Sequence, residues 1–171
     1  MPAEQLTLSH GFGPYYTPES RILILGSFPS VKSREQSFFY GHPRNRFWPV
    51  VAAVFREETP QSLEEKKAFL CRNNIALYDV IESCSIIGSA DSSIRDVVPA
   101  DLQPILDGSR VENRIFTNGG KASALYQRYL LPTLGFPAAA LPSTSPANAA
   151  CSLDKLVEAW GAVLAPYLNR T

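Results

Sequence analysis

"RILILGSFPSVKSREQSFFYGHPRNRFWPVV" occupies residues 21–51 and sets the reading of the whole chain. Its first six residues are an apolar run closed by Gly26, the pattern of a strand covered on both faces in a parallel sheet. At its far end "RFWPVVAAVF" carries Phe47, Val50, Val51, Val54 and Phe55 at helical spacing. Pro49 fits such a helix only in its first turn, so the helix is predicted to begin at Asn45 or Arg46. Between strand and helix lies a polar, aromatic passage, read as a loop, holding Phe38, Phe39, Tyr40, His42-Pro43, Arg44 and Arg46. Strand, loop and helix in this order form the repeating unit of an α/β sheet.

The same grammar continues outward. "IALYDVI" (residues 75–81) reads as a second buried strand, and "NRIFTNGG" (residues 113–120) as a third with glycine at its exit. "AAALPSTSPANAA" gives a fourth strand running into a Ser/Pro/Asn loop. "SLEEKKAFLCRNN" opens on Ser62 with Glu65 three residues later, a capping box. "SSIRDVVPADLQPILDGS" reads as a turn and a short helix ending at Gly108, "KASALYQRYLL" as a helix, and "SLDKLVEAWGAVLAPYL" as a closing amphipathic helix. The alternation predicts a single α/β domain over residues 1–171, in three layers, with a central, mainly parallel four-stranded sheet flanked by helices.

Composition narrows the functional classes. Hydrophobic residues make up 45% and charged residues 19% of the chain, the balance of a globular protein rather than a disordered one. Sixteen basic and sixteen acidic residues cancel, so polyanion binding must come from a local patch. No apolar run is long enough for a membrane span, and "MPAEQLTLSH" has neither the basic nor the apolar region of a signal peptide. Cys71, Cys84 and Cys151 are widely spaced with no C-x-x-C, which argues against a metal site built on them and suits free thiols in a reducing cytoplasm.

In an open parallel sheet the ligand sits beyond the carboxyl ends of the strands. That rule gathers residues 26–40, 79–83, 118–121 and 143–148 around one crevice, and these are the polar or Gly/Pro-rich parts of the chain. Each candidate there also has a plain structural reading. Phe38, Phe39 and Tyr40 either plug the loop onto the domain or offer faces on which an unstacked base can lie. Asn45 either caps the following helix or faces the crevice. His42 can be a turn residue, Arg44 and Arg46 solvated charges, and Asn118 and Lys121 a turn and a helix-start charge. Asp79, closing an apolar strand, has to be solvated, paired or aimed at a ligand.

Taken together, "GSFPSVKSREQSFFYGHPRNRFWPVV" resembles the first motif region of the uracil-DNA glycosylase superfamily, and "LPSTSPAN" resembles its second. "ALYDVIESC" and "IFTNGGKA" are similar to its middle strands. The His-Pro-x-Asn-Arg-Phe-Trp string is similar to that of the mismatch-specific uracil glycosylases. Two departures point to one branch. Phe28 stands where most of the superfamily has a water-activating Asn or Asp, and Ser143 stands where a His or Asn begins the second motif. Both resemble the hypoxanthine-DNA glycosylase branch, in which the Asn of this string is implicated in catalysis, here Asn45.

The resemblance implies a monofunctional DNA base-excision glycosylase without cofactor or metal, a monomer acting on DNA that contains a deaminated, flipped base, hypoxanthine preferred. Asn45 would orient the water. Gly26, Ser27, Phe28, Phe39, Tyr40, Asp79 and Asn118 would bind the base. His42, Arg44, Lys121, Ser143, Thr144, Ser145, Pro146, Ala147 and Asn148 would meet the DNA. A uracil or mismatch glycosylase and a non-catalytic nucleic-acid- or nucleotide-binding module, favoured by Phe28, are the competing expectations.

Overall fold

In the computed structural model, residues 5–87 and 94–168 are described. Strands β2 (Ile22–Gly26), β3 (Ile75–Asp79), β6 (Ile115–Asn118) and β7 (Ala139–Leu141) form a sheet in the order β3-β2-β6-β7. All three pairings are parallel. Every residue of β2 and β3 is buried, so the continuous apolar runs are those of strands covered on both faces. Tyr15 closes the outer edge of β3 by exchanging two backbone hydrogen bonds with Leu77, 3.0 and 2.9 Å long.

Helices α1 (Val31–Gln36), α2 (Phe47–Val54) and α3 (Leu63–Arg72) link β2 to β3. They are followed by α4 (Gln103–Asp107), α5 (Gly120–Tyr129), α6 (Leu131–Leu134) and α7 (Leu153–Leu164). Phe47, Val50, Val51 and Val54 are buried on α2, as their spacing predicts, and Trp48 is buried beside them. The Ser62 hydroxyl accepts the Glu65 N–H, whereas the Glu65 carboxylate takes the Gln61 N–H rather than that of Ser62.

Three features depart from the expectations. The run 75–81 is not one strand. After Asp79 the chain leaves the parallel sheet, and Ile81 opens β4 (Ile81–Ile87) of a second, antiparallel sheet ordered β1-β4-β5, with β1 at Gln5–Ser9 and β5 at Arg95–Pro99. Val80 and Ile81 donate back to the Gly26 and Ser27 carbonyls, which bends the chain over the end of β2. Residues 95–99, expected in a turn, are therefore a strand, while Ser92 and Ser93 of that expectation lie outside the described residues. Residues 31–36, expected in a loop, form a helix capped by Ser30, whose hydroxyl accepts the Ser33 N–H, and ended by Ser37 in the left-handed region at φ 56°. One hydrophobic core joins both sheets and the helices.

Candidate functional site

The carboxyl ends of β2, β3 and β6 carry Gly26, Asp79 and Asn118. These residues line an open cleft of about 1160 Å³ together with Ser27, Phe28, Arg34, Phe39, Tyr40, His42, Asn45, Lys121 and residues 143–145, 147 and 148. Of the residues singled out in the sequence, Arg44 and Pro146 stand exposed outside this wall.

One wall is a chain of hydrogen bonds that crosses three parts of the sequence. Asn118 Nδ2 donates to Thr144 Oγ1 at 2.9 Å, the Thr144 N–H donates to Asn118 Oδ1 at 3.0 Å, and Thr144 Oγ1 donates to Asn45 Oδ1 at 2.8 Å. Asn45 Oδ1 also accepts the Phe47 N–H at 2.9 Å. A backbone N–H only donates, so this bond fixes which end of the amide is oxygen. Asn45, one residue before the N-cap Arg46, thus takes the first N–H of α2 and also lines the cleft. Its Nδ2 has no hydrogen bond among the described residues and is the end left for a ligand. Thr144 is fully buried and its hydroxyl is occupied on both sides. The Thr144 hydroxyl is thus turned to Asn45 and Asn118, while the residue lines the cleft.

Arg46 does not sit in solvent either. Its guanidinium donates to the carbonyls of Ser145 and Asn148, each at 3.0 Å, and to that of Cys151. Its N–H donates to the Thr144 carbonyl at 3.0 Å. The loop after β7 is thus tied to the start of α2. Both tryptophans of the chain also hold site loops: Trp160 Nε1 donates to the Pro142 carbonyl at 2.9 Å and Trp48 Nε1 to that of Phe39 at 3.3 Å. Gly119, at φ 98°, meets the same loop so closely that a Cβ would fall 2.8 Å from the Ser143 Cβ.

The aromatic passage divides. Phe38 is buried and serves as the plug, stacked 6.2 Å from Trp48. Tyr40, at φ 54°, lays its ring on Phe47 at 4.0 Å, so one of its faces is already covered. Phe39 is 3% exposed and packs against Phe12 and Tyr78, yet it lines the cleft. Phe28 is half-buried with the Arg34 guanidinium 5.7 Å from its ring centre.

Asp79 has a partner that the sequence reading missed. His10, fully buried just after β1, places Nε2 2.7 Å from Asp79 Oδ2. Burial pushes the Asp79 carboxyl above its ordinary value, and the bond and charge of His10 pull it back. The other oxygen, Oδ1, crowds Gly26, where a Cβ would fall 2.4 Å from it and 3.3 Å from the Tyr40 hydroxyl. That hydroxyl is buried beside Asp79 and Asn118 without a hydrogen bond of good geometry, and burial and the Asp79 charge push it far above its ordinary value. The alternating "QLTLSH" was the available signal for a strand delivering His10. Among the described residues no cluster of three or more His, Cys, Asp or Glu has metal-ligand geometry, and no helix is long and apolar enough to cross a membrane.

No protein-family model matches the chain. Two curated relatives are both named hypoxanthine DNA glycosylase. The one from Methanosarcina acetivorans is 36% identical over 157 residues, 91% of this chain and 98% of the relative. The one from Methanosarcina barkeri is 31% identical over 139 residues, 81% of this chain and 87% of the relative. A solution NMR structure from Methanosarcina acetivorans, provisionally described as a uracil DNA glycosylase, aligns with a TM-score of 0.74 at 31% identity. The alignment covers 92% of this chain and 99% of that one.

Proposed function

The chain belongs to the hypoxanthine DNA glycosylase family, and from that premise we propose that it hydrolyses the N-glycosidic bond of deaminated bases in DNA, hypoxanthine foremost, acting as one domain on a base turned out of the helix. The observation that carries this reading is the Asn118–Thr144–Asn45 chain, which aims a fixed amide into the cleft that Asp79 also lines.

Asp79 Oδ1 accepts the ring N–H of the base, an atom pair available on hypoxanthine but absent on adenine, whose N1 is itself an acceptor. Phe39 and Phe28 supply the apolar walls. In the reaction the bond from C1′ to the base breaks with its electron pair on the base, and the water oxygen bonds to C1′. The proton lost by that water balances the charge on the departed base. The sugar develops oxocarbenium character, so a neutral water held in place is enough and no strong base is required. With its oxygen taken by Phe47 and Thr144, Asn45 holds this water by donating from Nδ2. Phe28 leaves that task to Asn45, having no polar atom. Lys121 and Ser143, with the backbone of the 143–148 loop, meet phosphates along the cleft; Ala147 and Asn148 sit at the loop tip.

Uracil also carries a ring N–H able to meet Asp79, so uracil excision is the second reading. The test is a cleavage assay on oligonucleotides holding one hypoxanthine, uracil or xanthine, followed by alkali. Breaks at hypoxanthine formed faster than at uracil are expected, and no break on any of the three overturns the proposal.

A further inference from the structure

His10 and Asp79 come from different sheets, 69 residues apart in sequence, and meet fully inside the protein at the back of the cleft. The pair does more than neutralise a charge. His10 Nδ1 is buried with no hydrogen-bond partner among the described residues. Its ring is enclosed by those of Phe12 at 4.4 Å, Tyr78 at 4.5 Å, Phe39 at 5.8 Å and Phe28 at 6.3 Å. A proton on Nδ1 would be a buried donor facing no acceptor, a costly arrangement. The cage therefore selects the tautomer with hydrogen on Nε2, which lies on the line to Asp79 Oδ2.

Whether the shared proton rests nearer nitrogen or oxygen, Oδ1 is left with bare lone pairs. Resting on the reading of Asp79 as the base-edge contact, we propose that His10 is a specificity-determining positioning residue: by supplying the proton to Oδ2 it keeps Asp79 Oδ1 a hydrogen-bond acceptor, so the site takes bases with a ring N–H and turns adenine away.

A buried carboxyl without such a partner takes up a proton of its own near neutral pH. Once protonated it can donate, and adenine N1 becomes an acceptable partner. The other ionisable groups around the pair do not replace His10. The Tyr40 and Tyr78 hydroxyls are both held protonated by burial and acidic neighbours. Glu82 accepts the Tyr78 hydroxyl, and Arg34 lies over Phe28.

The experiment uses the full chain as wild type, His10→Phe and His10→Gln. Affinity is measured between pH 5.5 and 8.5 for duplexes containing 2′-fluoro-deoxyinosine or 2′-fluoro-deoxyadenosine, both resistant to cleavage, alongside single-turnover excision of hypoxanthine. In wild type the preference for the inosine duplex should stay flat from pH 6 to 8. In His10→Phe it should fall tenfold or more at pH 6 and recover as pH rises, with excision rising in parallel. His10→Gln, which offers an N–H in place of the imidazole, should keep most of the preference. Adding Asp79→Asn to His10→Phe should abolish the pH dependence, because an amide does not titrate.

The affinity ratio is independent of the fraction of folded protein. A preference in His10→Phe that matches wild type at every pH overturns the proposal, as does a uniform loss with no pH limb. Wild type failing to excise hypoxanthine while still preferring the inosine duplex overturns the enzymatic reading and leaves this one standing.

Discussion

Replacing Thr144 with valine removes one hydroxyl and keeps the shape, which isolates its role in the wall of the cleft. Thr144 Oγ1 donates to Asn45 and accepts from Asn118. Its loss forfeits both hydrogen bonds, each worth about 1 kcal/mol or less net, and leaves the Asn118 Nδ2 unpaired. Asn118 is only half-buried, so water reaches it and the whole cost should stay near 1–2 kcal/mol. The effect on rate should be the larger signal. Asn45 keeps only the Phe47 N–H as a donor to its oxygen, and its amide is free to turn. Single-turnover excision of hypoxanthine should fall by about tenfold, or about 1.4 kcal/mol of barrier. Asn45→Ala removes the group itself and should cost about a hundredfold, as loss of one preorganised polar group does.

The double variant decides between the two roles of Thr144. If Thr144 acts through Asn45, Asn45→Ala with Thr144→Val should be no slower than Asn45→Ala alone. Thr144→Ser, which keeps the hydroxyl, should stay near wild type. Full activity in Thr144→Val, or a double variant slower by about a thousandfold because the losses multiply, would refute the reasoning.

Four further outcomes follow from the same geometry. Gly26→Ala should weaken the inosine duplex by tenfold or more with a modest fall in Tm, because its Cβ would lie 2.4 Å from Asp79 Oδ1, on a carboxyl whose other oxygen His10 holds in place; unchanged affinity would contradict this. Arg46→Ala should weaken DNA binding by loosening the loop after β7 while leaving the salt dependence unchanged, since Arg46 binds carbonyls. Lys121→Ala should lower the slope of log affinity against log salt by about one. The fourth concerns Asp79, whose carboxyl is raised above its ordinary value of 3.8. Folded protein then holds this proton more strongly than unfolded, so the group's favourable contribution is complete below 3.8 and is lost as pH rises through the folded value. The Tm of Asp79→Asn relative to wild type should therefore improve from pH 4 to pH 7, and an equal difference at both would refute the assignment.

The parallel sheet was legible because its strands are continuous apolar runs ended by Gly26, Asp79 and Asn118. The same continuity hid the break at Val80, since a run of buried residues looks alike in one sheet or two. Strand β5 was hidden for the opposite reason: four of its five residues are exposed, with a half-buried Val97 between them, so no apolar alternation marks it. Helix α1 buries only Ser33 and shows no helical stripe. Its one signal was a serine cap inside a stretch dense with polar residues.

The site was legible to the extent that topology alone assembles it. Asp79 and Asn118 converge because they end strands, and Asn45 and Thr144 because they lie on the connections that leave strand ends, whereas His10 arrives from a sheet that the sequence did not reveal. The two readings of Asn45, helix cap or cleft residue, turn out to describe a single bond. By taking the Phe47 N–H at the start of α2, the Asn45 oxygen is fixed in orientation, and Thr144 then holds the amide's rotation. A residue that only capped would have no use for a second donor on the same oxygen, and a free cleft residue would have no fixed direction. This bond is what makes the Nδ2 a preorganised donor, so stability of the helix start and reactivity in the cleft should be lost together in Asn45→Ala, whereas Thr144→Val, which leaves the Phe47 N–H bond in place, should lower reactivity and spare the helix start.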